Sequence, residues 1–252
     1  MCRVCQPAPC GAAATAVALI KYCRMELKTI AHFHSPFTSK FGIPKQSGLV
    51  EQLPGTITFE PRYRERNALR GIEEFDYLWL LWHFSANRHA ATSLMVRPPL
   101  LGGNERVGVF ASRSPFRPNG IGLSSVRLDH VEWDTPSGPV IHVRGADLMD
   151  GTPIFDIKPY IAYADCHPGA RSGFVDSHAL RRLKVEIAPE LACRFNSSQL
   201  AALVKTLELD PRPHYQNDPG KVYGMPYDGR DIHFTVQGGT LTVIDIDTIA
   251  KT

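Results

Sequence analysis

The chain has 252 residues, 43% of them hydrophobic, and a formal net charge of +3. That is a globular balance with enough apolar side chain for a sizeable core, and the charge is too small to argue a nucleic-acid partner by itself. No apolar run approaches the roughly eighteen residues of a membrane-spanning helix, and 20 glycines with 20 prolines favour many turns and a β-rich chain.

The chain opens MCRVCQPAPCGAAATAVALIKYC. The apolar stretch at 12–20 has only Arg3 ahead of it as a charge and no small-residue cleavage site after it, so a signal peptide is not expected. Residues 1–24 read as an extension without fixed structure or a misplaced start, and Met25 begins a natural first strand. Cys2, Cys5 and Cys10 supply half a zinc site, but no second pair of ligands follows at a useful spacing, so no metal is expected. Cys166 and Cys193 are isolated, which suits a reduced, cytoplasmic setting.

Leu27 to Phe33 reads as a strand, and 35–50 as a loop punctuated by Gly42, Pro44 and Gly48. GTITFEP is a short strand, and Arg64 to Gly71 a turn of helix ended by that glycine. FDYLWLLWHFS, 75–85, is the most apolar run and reads as a buried strand. The prolines of VRPPLLGGN exclude helix and central strand. RVGVFAS, SSVRLDHVEW, PVIHVRGADL and IFDIKPY read as further strands.

The character changes near residue 165. ALRRLKVEI reads as a strand. The best helical signal follows, capped by Ser197 or Ser198, with Leu200, Leu203, Val204 and Leu207 at helical spacing. RDIHFTVQGGTLTVIDI reads as a hairpin around Gly238 and Gly239. The expected fold is mainly β: a β-rich N-terminal domain at 25–165 and a small α+β domain at 166–252.

GIGLSS has a GxG spacing but no third glycine. A strand follows it where a phosphate-binding turn needs a helix N-terminus, so a dinucleotide site is not expected. In VFASRSPFRPNGIGLSS, residues 109–125, Pro115 and Pro118 stiffen the backbone and Asn119-Gly120 permits a positive-φ turn. Arg113 and Arg117 on such backbone either capture a carboxylate or phosphate or are solvated residues of a long turn. Arg62, Arg64, Arg66 and Arg70 form one basic group, and Arg181, Arg182 and Lys184 another; each reads as a phosphate contact or a solvated face.

Four segments, GIPKQSGLV, VRPPLLGGNERVGVFASRSPFRPNGIGLS, DLMDGTPIFDIKPY and DPRPHYQNDP, together resemble the TsaA-like family, most of all its TrmO-type tRNA (adenine-N6)-methyltransferases. The match runs from about Leu27 to about Asp245. The resemblance implies an antiparallel β-barrel for the first domain, S-adenosylmethionine as donor, and a homodimer whose interface helps to form the site. The implied acceptor is N6-threonylcarbamoyladenosine at tRNA position 37, beside the anticodon. The implied donor contacts are Pro44, Lys45 and Gln46, then Arg113 and Leu123, then Leu148, Asp150, Gly151 and Thr152. Ser85 and Ala86 join them, where some members carry His-Gln. The implied acceptor contacts are Arg117, Asn119, Asp210, Arg212 and Tyr215, the last three on the DPRPHYQ loop, which is expected to face the partner subunit's donor site.

The residues allow chemistry of that kind. Arg113 or Lys45 suits a donor carboxylate, and Asp150 an amino or ribose group, or Asp150-Gly151 only forms a tight turn. Alternation in IFDIKPY puts Asp156, Lys158 and Tyr160 on one face. Either Asp156 or Tyr160 is a general base, or Asp156 and Lys158 are a surface pair. A methyltransferase of another small-molecule or RNA acceptor, or a donor-binding sensor without transfer, is the alternative. The tRNA-type DPRPHYQ loop argues against a sensor, and the donor-side PKQ and DGTP segments against a plain RNA-binding barrel.

Overall fold

A computed structural model describes residues 26–87, 93–102, 105–178, 181–212, 218 and 220–249. Cys2, Cys5, Cys10, Cys23 and Tyr215 lie outside the described residues. In chain order the strands are β1 (Ala31–His34), β2 (Pro54–Phe59), β3 (Tyr77–His83), β4 (Met95–Val96), β5 (Val107–Gly108), β6 (Ile121–Glu132), β7 (Val140–Arg144) and β8 (Thr152–Pro159). After the short helix α1 (Ala162–Asp165) come β9 (Lys184–Ile187), α2 (Pro189–Ala192), α3 (Ser197–Glu208), β10 (Tyr223–Tyr227), β11 (Arg230–Gln237) and β12 (Thr240–Thr248).

Six strands close into a barrel in the order β1-β2-β7-β6-β3-β8, every pair antiparallel. Closure leaves no unpaired edge among them. Each strand alternates. In β3 the side chains of Leu78, Leu80 and Trp82 are buried in the barrel, while Tyr77 and His83 are exposed. The apolar run at 75–85 is therefore a one-faced strand, not a wholly buried one.

β10, β11, β12 and β9 make a second sheet, with β9 parallel to β12. Positive φ at Gly238 and Gly239 closes the expected β11–β12 hairpin. α3 lays Ala202, Leu203, Thr206 and Leu207 into this core. Its cap is Asn196, one residue before the expected serines. The Asn196 side chain accepts from Gln199 N at 2.9 Å, and Gln199 Oε1 accepts from Asn196 N at 3.1 Å.

Three other expectations shrink. The turn expected at Arg64–Gly71 is a 3-10 turn at Arg66–Leu69, and Gly71, at φ +85°, opens the next turn. RVGVFAS keeps two strand residues before a 3-10 turn at Val109–Ala111. ALRRLKVEI is extended only at β9.

The two cores do not divide where the sequence composition does. Phe37, Val50 and Leu53, all from the connection between β1 and β2, are buried in the core of the second sheet. Phe37 meets Tyr227 edge-on at 5.4 Å, and Asp228 N donates to Pro36 O at 2.8 Å. A Cβ on Gly42, at φ +91°, would lie 2.3 Å from Met225 Sδ, so both backbone conformation and space demand glycine there. The chain thus leaves the barrel at His34, docks on the C-terminal core, and returns at Pro54.

Candidate active site

A cleft of about 480 Å³ opens at the end of the barrel where β3 finishes and β6 and β8 begin. That size is ordinary for a small-molecule site. The docked connection forms one wall through Ile43, Pro44, Lys45 and Gln46, and Trp79 and Trp82 of β3 form another.

Trp82 depends on a glycine. A Cβ on Gly122, its partner in β6, would lie 2.3–2.6 Å from the indole. The two glycines of GIGLSS therefore have separate duties: Gly120, at φ +55°, turns the chain, and Gly122 leaves room for the ring. Trp82 Nε1 donates to Ser124 Oγ at 3.0 Å, and Ser124 Oγ donates to Asp147 Oδ1 at 2.6 Å. Asp147 lines the cleft and also accepts from the Ser47 backbone. Burial raises its proton affinity above that of an ordinary carboxylate, while Ser124, the backbone N–H groups and Arg113 act the other way.

The cations of the opening are differently employed. Arg117 Nη1 donates to the carbonyls of Ser112 and Ser114, at 3.1 and 3.3 Å, and so staples its own loop. Arg113 Nη1 donates to Gln46 Oε1 at 2.5 Å and reaches across to the wall. Burial lowers the proton affinity of Lys45, and Asp210 opposes that shift. Lys40 Nζ donates to Asn87 Oδ1, and the buried Asn87 Nδ2 has no acceptor among the described residues.

The cleft brings together Pro44, Lys45, Gln46, Ser85, Ala86, Arg113, Arg117, Leu123 and Thr152 from the residues singled out in the sequence. Others lie elsewhere. Leu148 is 1% exposed and fills the barrel core. Asp150 binds its own fold: His34 Nδ1 and Ser35 N both lie 3.2 Å from its Oδ1. Gly151, at φ +74°, and Asp150 are the central residues of a tight turn, in which Thr152 N donates to Met149 O. Asn119 is exposed in the turn beside Gly120. Asp156 and Lys158 form a 3.0 Å pair, both substantially exposed, and Tyr160 packs against Tyr77 and Trp79. None of these three side chains is among the cleft lining.

Asp210 and Arg212 stand at the base of the DPRPHYQ segment and pair with each other at 2.8 Å, and the charge of Asp210 acts on Lys45 of the same chain. The Arg62–Arg70 group lies at the other end of the barrel. There Arg66 stacks over Trp133 and pairs with Asp134 at 3.3 Å, and Arg64 Nε donates to Phe59 O. Asp147, Trp79, Trp82, Lys40 and Asn87 were not singled out from the sequence. The one local signal for Asp147 is a carboxylate set between Ala146 and Leu148 in an apolar run.

Two family models match in order: the tRNA-methyltransferase O N-terminal domain over residues 32–166, and the TrmO C-terminal domain over 181–249. The chain belongs to the tRNA-methyltransferase O family. An Escherichia coli tRNA (adenine(37)-N6)-methyltransferase is 36% identical over 208 residues, covering 79% of this chain and 88% of that protein. A Pseudomonas aeruginosa protein, named RcsF and proposed to be an S-adenosylmethionine-dependent methyltransferase, is 38% identical over 81% of this chain and 90% of its own length. A crystal structure of TrmO from P. aeruginosa superposes with a TM-score of 0.72 at 33% identity, covering 89% of this chain and 97% of the other. The barrel expected from the sequence is thus the tRNA-methyltransferase O barrel, and the cleft lies within its N-terminal domain.

Proposed function

We propose that this enzyme transfers a methyl group from S-adenosylmethionine to N6 of the adenine at position 37 of tRNA, with the threonylcarbamoylated base as its acceptor. The observation that carries this reading is the cleft itself. It sets four cationic side chains, two indoles and a part-buried carboxylate around one space of the right size, inside a domain of this family.

The residues fit the donor. Lys45 and Arg113 complement a carboxylate. The N–H of Asn87 Nδ2, which has no acceptor among the described residues, suits a polar group of the donor. Trp79 and Trp82 offer faces to an adenine ring or to a cation. When bound, the donor supplies an electrophilic methyl group on a positively charged sulfur.

The acceptor N6 is conjugated to a ring and a carbonyl, so its lone pair is a poor nucleophile. Asp147 is the carboxylate of the cleft, but Ser124 and Ser47 already donate to it. It fixes the floor, and the Gln46–Arg113 contact fixes the wall. Catalysis on this reading comes mainly from holding the two reactants in line. Asp156 and Tyr160, absent from the lining, are left with a structural part.

Acceptor contacts are assigned to Asn119 at the mouth and to Tyr215, whose ring suits base stacking. Phosphate contacts are assigned to the exposed group Arg181, Arg182 and Lys184. A second copy of the chain covers the apolar rim. Leu123 is 55% exposed there, and Leu94, Met95, Phe110 and Phe116 of the neighbouring segments are also exposed. A tRNA acceptor places the enzyme in the cytoplasm.

The test is to incubate the protein with methyl-labelled S-adenosylmethionine and two tRNA pools, with and without the threonylcarbamoyl group, and to separate the nucleosides by mass. Label on the modified adenosine alone is expected. No label on either pool, with donor binding demonstrated, would reject tRNA methylation in favour of another acceptor or a sensor.

A further inference from the structure

The two indoles of the cleft are held in different ways. Trp82 is fixed from within: it is 7% exposed, close against Gly122, with the Phe84 ring 4.3 Å away. Trp79 alternates with the buried Leu78 and Leu80, so it points away from the barrel core, and it stays half-buried where it lines the cleft. A large ring in that position has more than one rotamer open to it unless its neighbours choose.

The neighbours come from the stretch that follows β8. Trp79 Nε1 donates to Asp165 Oδ2 at 2.9 Å, a bond between residues 86 apart in sequence. The same oxygen accepts from Ile161 N at 2.8 Å, so the carboxylate also ties the two ends of its own short turn. These two donors hold the Asp165 carboxyl below the usual carboxylate range, which keeps it ionised near neutral pH and makes the indole bond charge-assisted. The start of the stretch is pinned to the same strand, because Tyr160 N donates to Tyr77 O at 2.9 Å. The Tyr160 ring then lies 5.8 Å from that of Trp79. The indole has its single N–H engaged by the protein, so what it offers the cleft is ring surface rather than a hydrogen bond.

We propose that Asp165 is a positioning residue that fixes the Trp79 indole as a stacking platform for an adenine ring in the cleft. Asp165 acts through Trp79 and touches neither reactant. The proposal rests on the reading of the cleft as the site of methyl transfer. Donor and acceptor both carry adenine, and the two sources are told apart by which affinity falls.

The test is calorimetric titration of S-adenosylhomocysteine, together with KM for threonylcarbamoylated tRNA at saturating S-adenosylmethionine. Both are measured in the wild type, Trp79→Ala, Trp79→Phe, Asp165→Ala and Asp165→Asn, each checked by thermal unfolding. Trp79→Ala should lose about tenfold or more in one of the two affinities, the ordinary effect of removing a stacked ring. Weaker S-adenosylhomocysteine binding identifies the donor's adenine. A raised KM for tRNA with native S-adenosylhomocysteine binding identifies the acceptor's. Asp165→Ala should lose about three- to tenfold in that same affinity, and Asp165→Asn, which keeps an oxygen for the indole N–H, should regain most of it.

Native values of both affinities in Trp79→Ala or in Asp165→Ala would overturn the proposal. So would a loss in Asp165→Asn as large as that in Asp165→Ala. Should Asp165→Ala not fold, native values in Trp79→Phe, which keeps a ring but has no N–H to anchor, would overturn it equally. A wild type that neither binds S-adenosylhomocysteine nor methylates tRNA would overturn the reading of the cleft, and the proposal with it.

Discussion

The Ser124 hydroxyl lies 2.6 Å from Asp147 Oδ1, and that bond sets the floor of the cleft. Ser124 is 2% exposed and also receives the Trp82 indole N–H, so one serine orients the part-buried carboxylate and the Trp82 wall together. Desolvation of the carboxyl makes the state of Asp147 a stability term.

Burial raises the folded-state pKa of Asp147 above the ordinary value of 3.8. The sign follows from proton counting. The folded protein holds this proton more tightly, so the group favours folding below the unfolded value, and that contribution is lost as pH rises through the raised one. Asn at 147 cannot titrate. The stability of Asp147→Asn relative to the wild type should therefore increase from about pH 4 to pH 7, read by urea unfolding. A difference constant across that range would show that Asp147 is not raised.

Gly122→Ala should disturb Trp82 directly. The added methyl meets the indole at 2.3 Å, a contact that a rigid ring inside a closed barrel relieves only by moving. A loss of about 1–3 kcal/mol is expected, with weaker donor binding because the displaced ring forms a wall. Unchanged stability in denaturant titration would contradict the packing described.

Phe37→Ala tests the docking of the β1–β2 connection. Phe37 is 1% exposed, against Tyr227. Truncation should cost about 3–5 kcal/mol and should also loosen donor binding, although Phe37 does not line the cleft. Native donor affinity in this variant would separate the connection's anchoring from the site.

Much of this fold was legible in the sequence. Alternation gave the strands, and paired glycines gave the β11–β12 turn. The loop glycines and prolines at 35–50 hid more, because nothing local reveals that Phe37, Val50 and Leu53 belong to a core formed mainly by residues beyond 180. Within the site, stiff backbone at 109–125 pointed to Arg113, but the same reasoning could not separate it from Arg117. Only the contacts show that Arg117 is spent on its own loop's carbonyls. Alternation placed Asp156 and Tyr160 on one face correctly, yet period two cannot say which face is outside. Asp147 escaped because its importance lies in Ser124 and Trp82, strands away.

Arg113→Ala should leave the fold intact, since the guanidinium is exposed and its one described hydrogen-bond partner is Gln46. Donor affinity should fall by about tenfold or more, the ordinary effect of removing a charge-assisted hydrogen bond. Calorimetry returning native affinity would remove Arg113 from the site.

The most direct test of the account is a crystal structure of the protein with S-adenosylhomocysteine, the product form of the donor. The account expects the ligand in the cleft, its carboxylate against Lys45 and Arg113 and its adenine or thioether against Trp79 and Trp82. Ligand bound away from the barrel end, with this cleft empty, would contradict it.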